Sequence, residues 1–389
     1  MDPGNSSRTG DAAGIAIVAG EASGDILGSL LIKSLAEAGL SSDFWGIAGP
    51  RMQAAGARSL YPMETLSVRG YVEVLGSLKR ILAMRRELRR TIKAHPPRCF
   101  IGVDAPDFNL PLEARLRRVG IPTVHFVSPS FWAWRPKGIE RVRKSANHTL
   151  LIFPFEEALY AKAGIPATYV GHPLAHALPE PDRLAARQML GLNPHGRYLA
   201  LLPGSRPGEL LAHADLFLGA ARILADRHPD LAFLAPMANR ETRQLFETAL
   251  YKTGSEHLPI RMLYGHGHDA LQAADTALVA SGTATLEALL MDCPHVITYR
   301  VPWLTYQIMK RKALLPWIGL PNILAGKDVT PEIVQDQATP LALADALDHL
   351  LGNPAAREAQ SLEFALQRLR LKRDTPRLIA GAIEPFLRR

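Results

Sequence analysis

Two stretches in the second half of the chain share one layout, and that layout leaves little choice of fold. Tyr198 to Leu202 and Ala277 to Ala280 are short apolar runs with no helical period, the pattern of parallel strands buried on both faces. Each stops at a turn of small residues, Pro203-Gly204-Ser205-Arg206-Pro207-Gly208 in one case and Ser281-Gly282-Thr283 in the other. The first turn opens into a stretch with Leu210, Leu216, Leu218, Ala221 and Leu224 at helical spacing. A strand that feeds a helix in this way is half of a crossover unit, and parallel strands require such crossovers.

The chemistry of these turns points to a class of ligand. Backbone N–H groups at a helix start, together with the helix dipole, favour an anion. Gly204 lets the backbone approach a ligand closely, and the Arg206 guanidinium is a fork matched to phosphate oxygens. Ser281, Gly282 and Thr283 offer amides and hydroxyls at a second helix start. Glu287 lies more than a turn further on, where a carboxylate can accept hydrogen bonds from a ribose diol. Its neighbours Ala284, Leu286, Ala288, Leu289 and Leu290 are apolar, and an acid in such company usually has a partner. Phosphate held with Ser205 and Arg206, and a sugar held by Glu287, are the two ends of a nucleoside diphosphate. An ordinary strand-to-helix turn and a solvated helix charge are the plainer alternatives.

The first half repeats the alternation. Ile15 to Ala19 runs into Gly20-Glu21-Ala22-Ser23-Gly24-Asp25, and the glycines at 20, 24 and 28 lack the spacing of a dinucleotide fingerprint. Glu21, Ser23 and Asp25 place acceptors beyond a strand's C-terminal end, where open α/β sheets bind ligands, unless Ser23 or Asp25 caps the helix. Cys99 to Val103 ends at Asp104, where a carboxylate in low dielectric rises in pKa and can serve as a general base. Capping of the next helix by Asp104 or Asp107 is the alternative reading. Thr123 to Val127 leads to a loop with Phe131, Trp132, Trp134 and Arg135, a platform for sugar stacking or lipid contact. A strand and turn over Phe44 to Pro50, and strands near 149–153, 231–235, 260–263 and 295–299, continue the series. Leu320 to Gly326 reads as a turn leading to a helix start at Pro331-Glu332, and 341–389 as helical. The expected fold class is α/β, with two doubly wound parallel-sheet, Rossmann-like domains facing across a cleft.

A chain of 389 residues exceeds one ordinary core, so two domains are expected. Pro179-Glu180-Pro181 marks the linker. This gives a disordered polar tail over 1–10, a first domain over 11–178, a second over 179–370, and a last helix over 371–389 packing back on the first domain or exchanged in a dimer. Cys99 and Cys293 stand far apart in apolar context, neither a disulfide framework nor a zinc pattern, which suggests a reducing cytosol. The formal charge of +8 calls for an anionic partner. Lys79 to Arg90 is a basic amphipathic helix following the apolar Val68 to Gly76, so the Val68–Arg90 region suits an anionic membrane surface, with core packing as the alternative. No nucleic-acid motif accompanies it, and no run of 18 apolar residues spans a bilayer.

Seven motifs now stand together. They are Gly20-Glu21-Ala22-Ser23-Gly24-Asp25, Ile47-Ala48-Gly49-Pro50-Arg51-Met52, Asp104-Ala105-Pro106-Asp107-Phe108-Asn109, Ser128-Pro129-Ser130-Phe131-Trp132-Ala133-Trp134-Arg135, Leu202-Pro203-Gly204-Ser205-Arg206, Ala280-Ser281-Gly282-Thr283-Ala284 and Leu320-Pro321-Asn322. In this order, over roughly residues 14–335, the chain strongly resembles the lipid-A-disaccharide synthases. The resemblance implies a GT-B glycosyltransferase of the Gram-negative cytoplasm, peripheral to the inner membrane. It implies an inverting transfer from UDP-2,3-diacylglucosamine to 2,3-diacylglucosamine 1-phosphate, giving a β-1,6-linked disaccharide 1-phosphate and UDP. It also implies no metal and no cofactor, and the sequence has no D-x-D motif.

By resemblance Asp104 is the base on the acceptor hydroxyl, Arg206 binds the diphosphate with Gly204 and Ser205, and Glu287 binds the ribose beside Ser281, Gly282 and Thr283. Asn322 is a polar contact near the reacting centre. Gly20, Glu21, Ser23, Asp25 and Trp134 line the acceptor side. The family further suggests a homodimer that exchanges C-terminal elements. The alternatives are a UDP-N-acetylglucosamine 2-epimerase-like enzyme on the same architecture, or a non-catalytic protein that binds nucleic acid or membrane through its charge.

Overall fold

The apolar runs become strands of two all-parallel sheets. The computed structural model describes residues 14–40, 42–66, 74–134 and 136–388. The chain divides into two units, one drawn from Met1–His176 and Leu371–Arg389, the other from Ala177–Arg370.

The first unit carries β1 (Ile15–Ala19), β2 (Phe44–Ile47), β3 (Ala57–Ser59), β4 (Cys99–Val103), β5 (Thr123–Phe126), β6 (His148–Leu151) and β7 (Ala167–Tyr169) in the order β3-β2-β1-β4-β5-β6-β7. Ile15, Ile17, Phe100 and Ile101 are fully buried, as expected when helices cover both faces of a parallel sheet. The chain steps outward from β1 to β3, then returns to place β4 on the other side of β1. Strand order therefore reverses between β1 and β4, where Ala19 pairs with Val103. Open α/β sheets bind ligands at such switch points. The helix Thr375–Leu387 belongs to this unit and packs on the helix Ala22–Glu37. The His172 amide donates to Leu371 O at 2.9 Å and fixes the entry of that segment.

The second unit repeats the plan with β8 (Arg197–Leu202), β9 (Leu231–Met237), β10 (Ile260–Tyr264), β11 (Thr276–Ala280), β12 (His295–Tyr299) and β13 (Glu332–Val334), ordered β10-β9-β8-β11-β12-β13. Here the reversal falls between β8 and β11, with Leu202 opposite Val279. The two glycine turns that drew attention in the sequence thus leave the same sheet side by side.

Three strands were not expected. β3, β7 and β13 are sheet edges of three residues each, too short to show a period and too polar to read as buried. Leu320–Ala325 is a helix rather than a turn, ended by Gly326 at φ 66. The expected helix start at Pro331-Glu332 is instead β13, because Glu332 pairs with Ile297 of β12. The helix after Asp104 begins at Pro106 with Ala105 as its cap residue, so Pro111 sits inside it. The basic helix runs Val74–Ala94 and turns Met84, Leu88 and Ile92 into the core. Residues 1–13 and 67–73, which include the expected tail and the start of the Val68–Arg90 patch, lie outside the described residues.

Candidate active site

In the first unit, Asp104 leaves β4 at the switch point with a left-handed backbone, φ 49, followed by Ala105 at φ 44. Non-glycine residues adopt this region at a cost and do so most often where function demands it. Two bonds hold the kink in place. The Asp104 amide donates to Phe126 O at 2.8 Å, and the Asn109 side-chain amide donates to Asp104 O at 2.8 Å. Burial raises the Asp104 pKa above the ordinary aspartate value, while His125 and the Ala105 amide pull in the other direction. Gly20 lies against this kink, since a Cβ there would come within 2.6 Å of Ala105 Cβ. Glu21 and Ser23 follow it and are exposed.

Asp25 has a different task from the one expected. It is buried at 3 % exposure, and its two carboxylate oxygens accept the amides of Arg51 and Met52 at 2.9 Å each. It therefore caps the helix Pro50–Ala54 from 26 residues away, satisfying amides that a helix start leaves open. Gly49 makes room for it, because a Cβ there would fall 2.4 Å from the carboxyl carbon.

The aromatic loop is also corrected. Residues Phe131–Trp134 form a short helix, and Phe131 is buried against Tyr160. Trp132 sets its edge against Phe155 at 4.9 Å and donates its indole N–H to Glu156 at 3.0 Å. Two of the three rings are thus packing groups, not a free platform. The Trp134 side chain lies outside the described residues.

In the second unit, Gly204 at φ 132 begins the turn after β8. The expectation of free amides is only partly met, because Glu209 Oε2 accepts the amides of Ser205 at 2.9 Å and Arg206 at 3.3 Å. This is the reciprocal half of a capping box. Sequence reasoning missed Glu209, although its position three residues after the cap residue is the signal for it. Arg206 projects outward with its side chain 73 % exposed and its guanidinium 3.6 Å from the Glu209 carboxylate. His213, also missed, braces the turn from behind. Its Nδ1–H donates to Pro203 O at 3.1 Å, and its Nε2 accepts the Arg300 amide at 2.9 Å. Only the neutral ring can do both, and burial lowers its pKa accordingly.

Beside that turn, the Ser281 amide continues the ladder to Thr298 O, and its hydroxyl donates to Ile318 O at 2.9 Å. Its donors are therefore spent, leaving Gly282 and Thr283 as the exposed part of this turn. Glu287 stands one turn into the helix Thr283–Leu290 with its side chain 28 % exposed and His268 Nε2 at 3.6 Å. Burial raises its pKa and His268 opposes the rise.

Asn322 is corrected as well. It is 1 % exposed; its amide nitrogen donates to Thr330 O and Glu332 Oε1, and its oxygen accepts the amides of Val329 and Thr330, all at 2.8 Å. Glu332 in turn accepts the amides of Ile318 and Gly319. Asn322 thus anchors the loop whose Ile318 carbonyl receives Ser281, and its polar atoms are all committed within the protein.

Two all-parallel sheets, each with one reversal of strand order, make this a GT-B fold, the fold of glycosyltransferases, with Arg206 and Glu287 beside one reversal and the partly buried Asp104 at the other. The fold agrees with solved structures: the S. aureus MnaA-UDP co-structure is similar at TM-score 0.65 and 14 % identity, covering 97 % of each chain. WaaG, a glycosyltransferase involved in lipopolysaccharide biosynthesis, is similar at TM-score 0.58 and 15 % identity, covering 96 % of this chain and 99 % of that one. The family profile described as lipid-A-disaccharide synthetase matches residues 15–377. A lipid-A-disaccharide synthase from Aromatoleum aromaticum is 52 % identical over 376 residues, 96 % of each chain. The chain belongs to the lipid-A-disaccharide synthetase family. The epimerase alternative shares the fold but not this membership.

Proposed function

We propose that this chain joins UDP-2,3-diacylglucosamine to 2,3-diacylglucosamine 1-phosphate through a β-1,6 linkage, releasing UDP. The observation that carries the reading is the presence of both halves of the chemistry at the two sheet reversals. Arg206 and the Gly204-Ser205 turn are suited to the diphosphate, and Glu287 to the ribose. Asp104 is suited to take the proton from the attacking hydroxyl. As the acceptor oxygen bonds to the anomeric carbon, the bond from that carbon to phosphate breaks and its electron pair leaves with UDP. The guanidinium and turn dipoles stabilise the departing charge, a role that does not require proton transfer to UDP. Attack opposite the leaving group inverts the anomeric centre.

A lipid substrate calls for contact with a bilayer. The helix Trp303–Lys312 supports this, since it buries none of its side chains. Trp303, Leu304, Ile308 and Met309 stand exposed beside Lys310, Arg311 and Lys312, an apolar and cationic pairing suited to an anionic membrane surface. Among the described residues no helix is long and apolar enough to cross a membrane. The test is direct: purified protein is supplied with both diacylglucosamine substrates, and UDP and disaccharide are measured. UDP release without disaccharide, or release that does not need the lipid acceptor, would overturn the proposal.

A further inference from the structure

Behind Asp104 lies a pair of ionisable groups that the reaction as written does not use. His125 on β5 and Glu113 on the helix Pro106–Arg117 are both fully buried, with His125 Nδ1 2.7 Å from Glu113 Oε1. His125 sits in register with Gly102 of β4. Asp104 lies two residues beyond Gly102, just past the end of β4, where its amide donates to the carbonyl of Phe126, the residue after His125, at 2.8 Å. Gly102 is what allows the arrangement: a Cβ there would come 2.1 Å from Glu113 Oε1 and 2.9 Å from Asn109 Cβ. The other ring nitrogen, His125 Nε2, is buried with no hydrogen-bond partner among the described residues. A buried polar group left open in this way needs an explanation.

We propose that His125, held by Glu113, is a positioning residue for the base, a buried imidazolium whose charge keeps Asp104 ionised until the acceptor hydroxyl gives up its proton. This rests on the reading of Asp104 as the base. A carboxylate at that depth is otherwise driven towards its neutral form, which cannot accept a proton. A lone imidazolium in the same place would itself be expelled by desolvation; Glu113 supplies the countercharge that lets it persist. Burial pushes the His125 pKa down, but Glu113 and then Asp104 more than offset it, and the net direction is upward. Among the described residues Cys99 and Tyr160 also feel Glu113, and burial raises the pKa of each. The proton taken from the hydroxyl ends on Asp104 and not on His125, so charge and atoms balance as in the transfer already described.

The test compares His125→Asn and Glu113→Gln with the unmodified enzyme, following UDP release across pH. Both variants should lower kcat by about 10-fold or more with KM changed less than about twofold, and should move the acid limb of the kcat profile to higher pH. Asp104→Asn run in parallel separates the two ideas. If it stays active, the base assignment itself fails. If it is inactive while the limb stays in place in both variants, the role of His125 alone is overturned. Should the variants not fold, NMR of histidine-labelled wild-type protein decides the matter. A His125 ring that remains protonated well above the ordinary histidine range supports the proposal, and a neutral ring at pH 7 refutes it.

Discussion

Glu209 folds back over its own helix start so that Oε2 accepts the amide of Ser205 at 2.9 Å. An internal carboxylate therefore occupies amides of the turn proposed for the diphosphate, next to the arginine proposed for the same charge. Glu209→Gln keeps an acceptor for the turn but removes the negative charge. We expect UDP to bind about threefold to tenfold more tightly, roughly 1 kcal/mol, by isothermal titration. An unchanged or weaker affinity would mean that the diphosphate never meets this carboxylate. Arg206→Ala in the same assay should weaken UDP by about 10- to 100-fold.

Asp104→Asn should bind UDP as before yet lose turnover by about 100-fold or more. Because burial raises the Asp104 pKa, the competent carboxylate is gained only as pH rises past a higher point than for an ordinary aspartate. Wild-type kcat should accordingly fall on the acid side of that point. Turnover near normal in the asparagine variant would remove Asp104 from the reaction.

Asp25→Ala strips two hydrogen bonds from the helix Pro50–Ala54. The expected loss is about 1–2 kcal/mol of stability, read by denaturant titration of the unit that contains it. UDP affinity should not change, because the proposed UDP site lies in the other unit. A loss of activity without loss of stability would restore Asp25 to the acceptor side.

Glu156 is a buried acid whose pKa burial lifts to about 7, against an ordinary 4.5, despite bonds from Phe153 and Trp132 that work the other way. The folded state then holds its proton over a range where the unfolded chain has lost it. Stability should fall as pH rises from about 4.5 to 7 and level off above. Glu156→Gln should flatten that slope in pH-dependent melting. A wild-type curve no steeper than the variant's would exclude the effect.

Replacing Trp303 and Leu304 together by serine should reduce binding to phosphatidylglycerol vesicles by about tenfold or more, given ~1.5–3 kcal/mol for burying each side chain. UDP affinity should stay level. Vesicle binding that persists unchanged would place the membrane contact elsewhere.

The fold was legible because buried parallel strands announce themselves as unbroken apolar runs, and Ile15–Ala19, Cys99–Val103 and Thr276–Ala280 are such runs. The edge strands were not, since Ala57–Ser59 carries too few residues to show alternation. The positions of Asp104 and Arg206 at strand ends were legible because each follows an apolar run into a turn. The pairing of Asp25 with Met52 and of Glu113 with His125 could not, since residues 27 and 12 positions apart meet only after the chain has folded. Asn322 misled for a related reason: a polar residue in a recognisable motif looks the same whether it meets a substrate or its own backbone.

That saturated amide has a practical consequence for anyone scanning the chain by substitution. Aspartate has the right length but brings no N–H, glutamine is one carbon too long, and serine cannot span both strands of the knot. A replacement at position 322 that lowers turnover is therefore expected to lower stability with it, because the bonds to Thr330, Val329 and Glu332 are lost together.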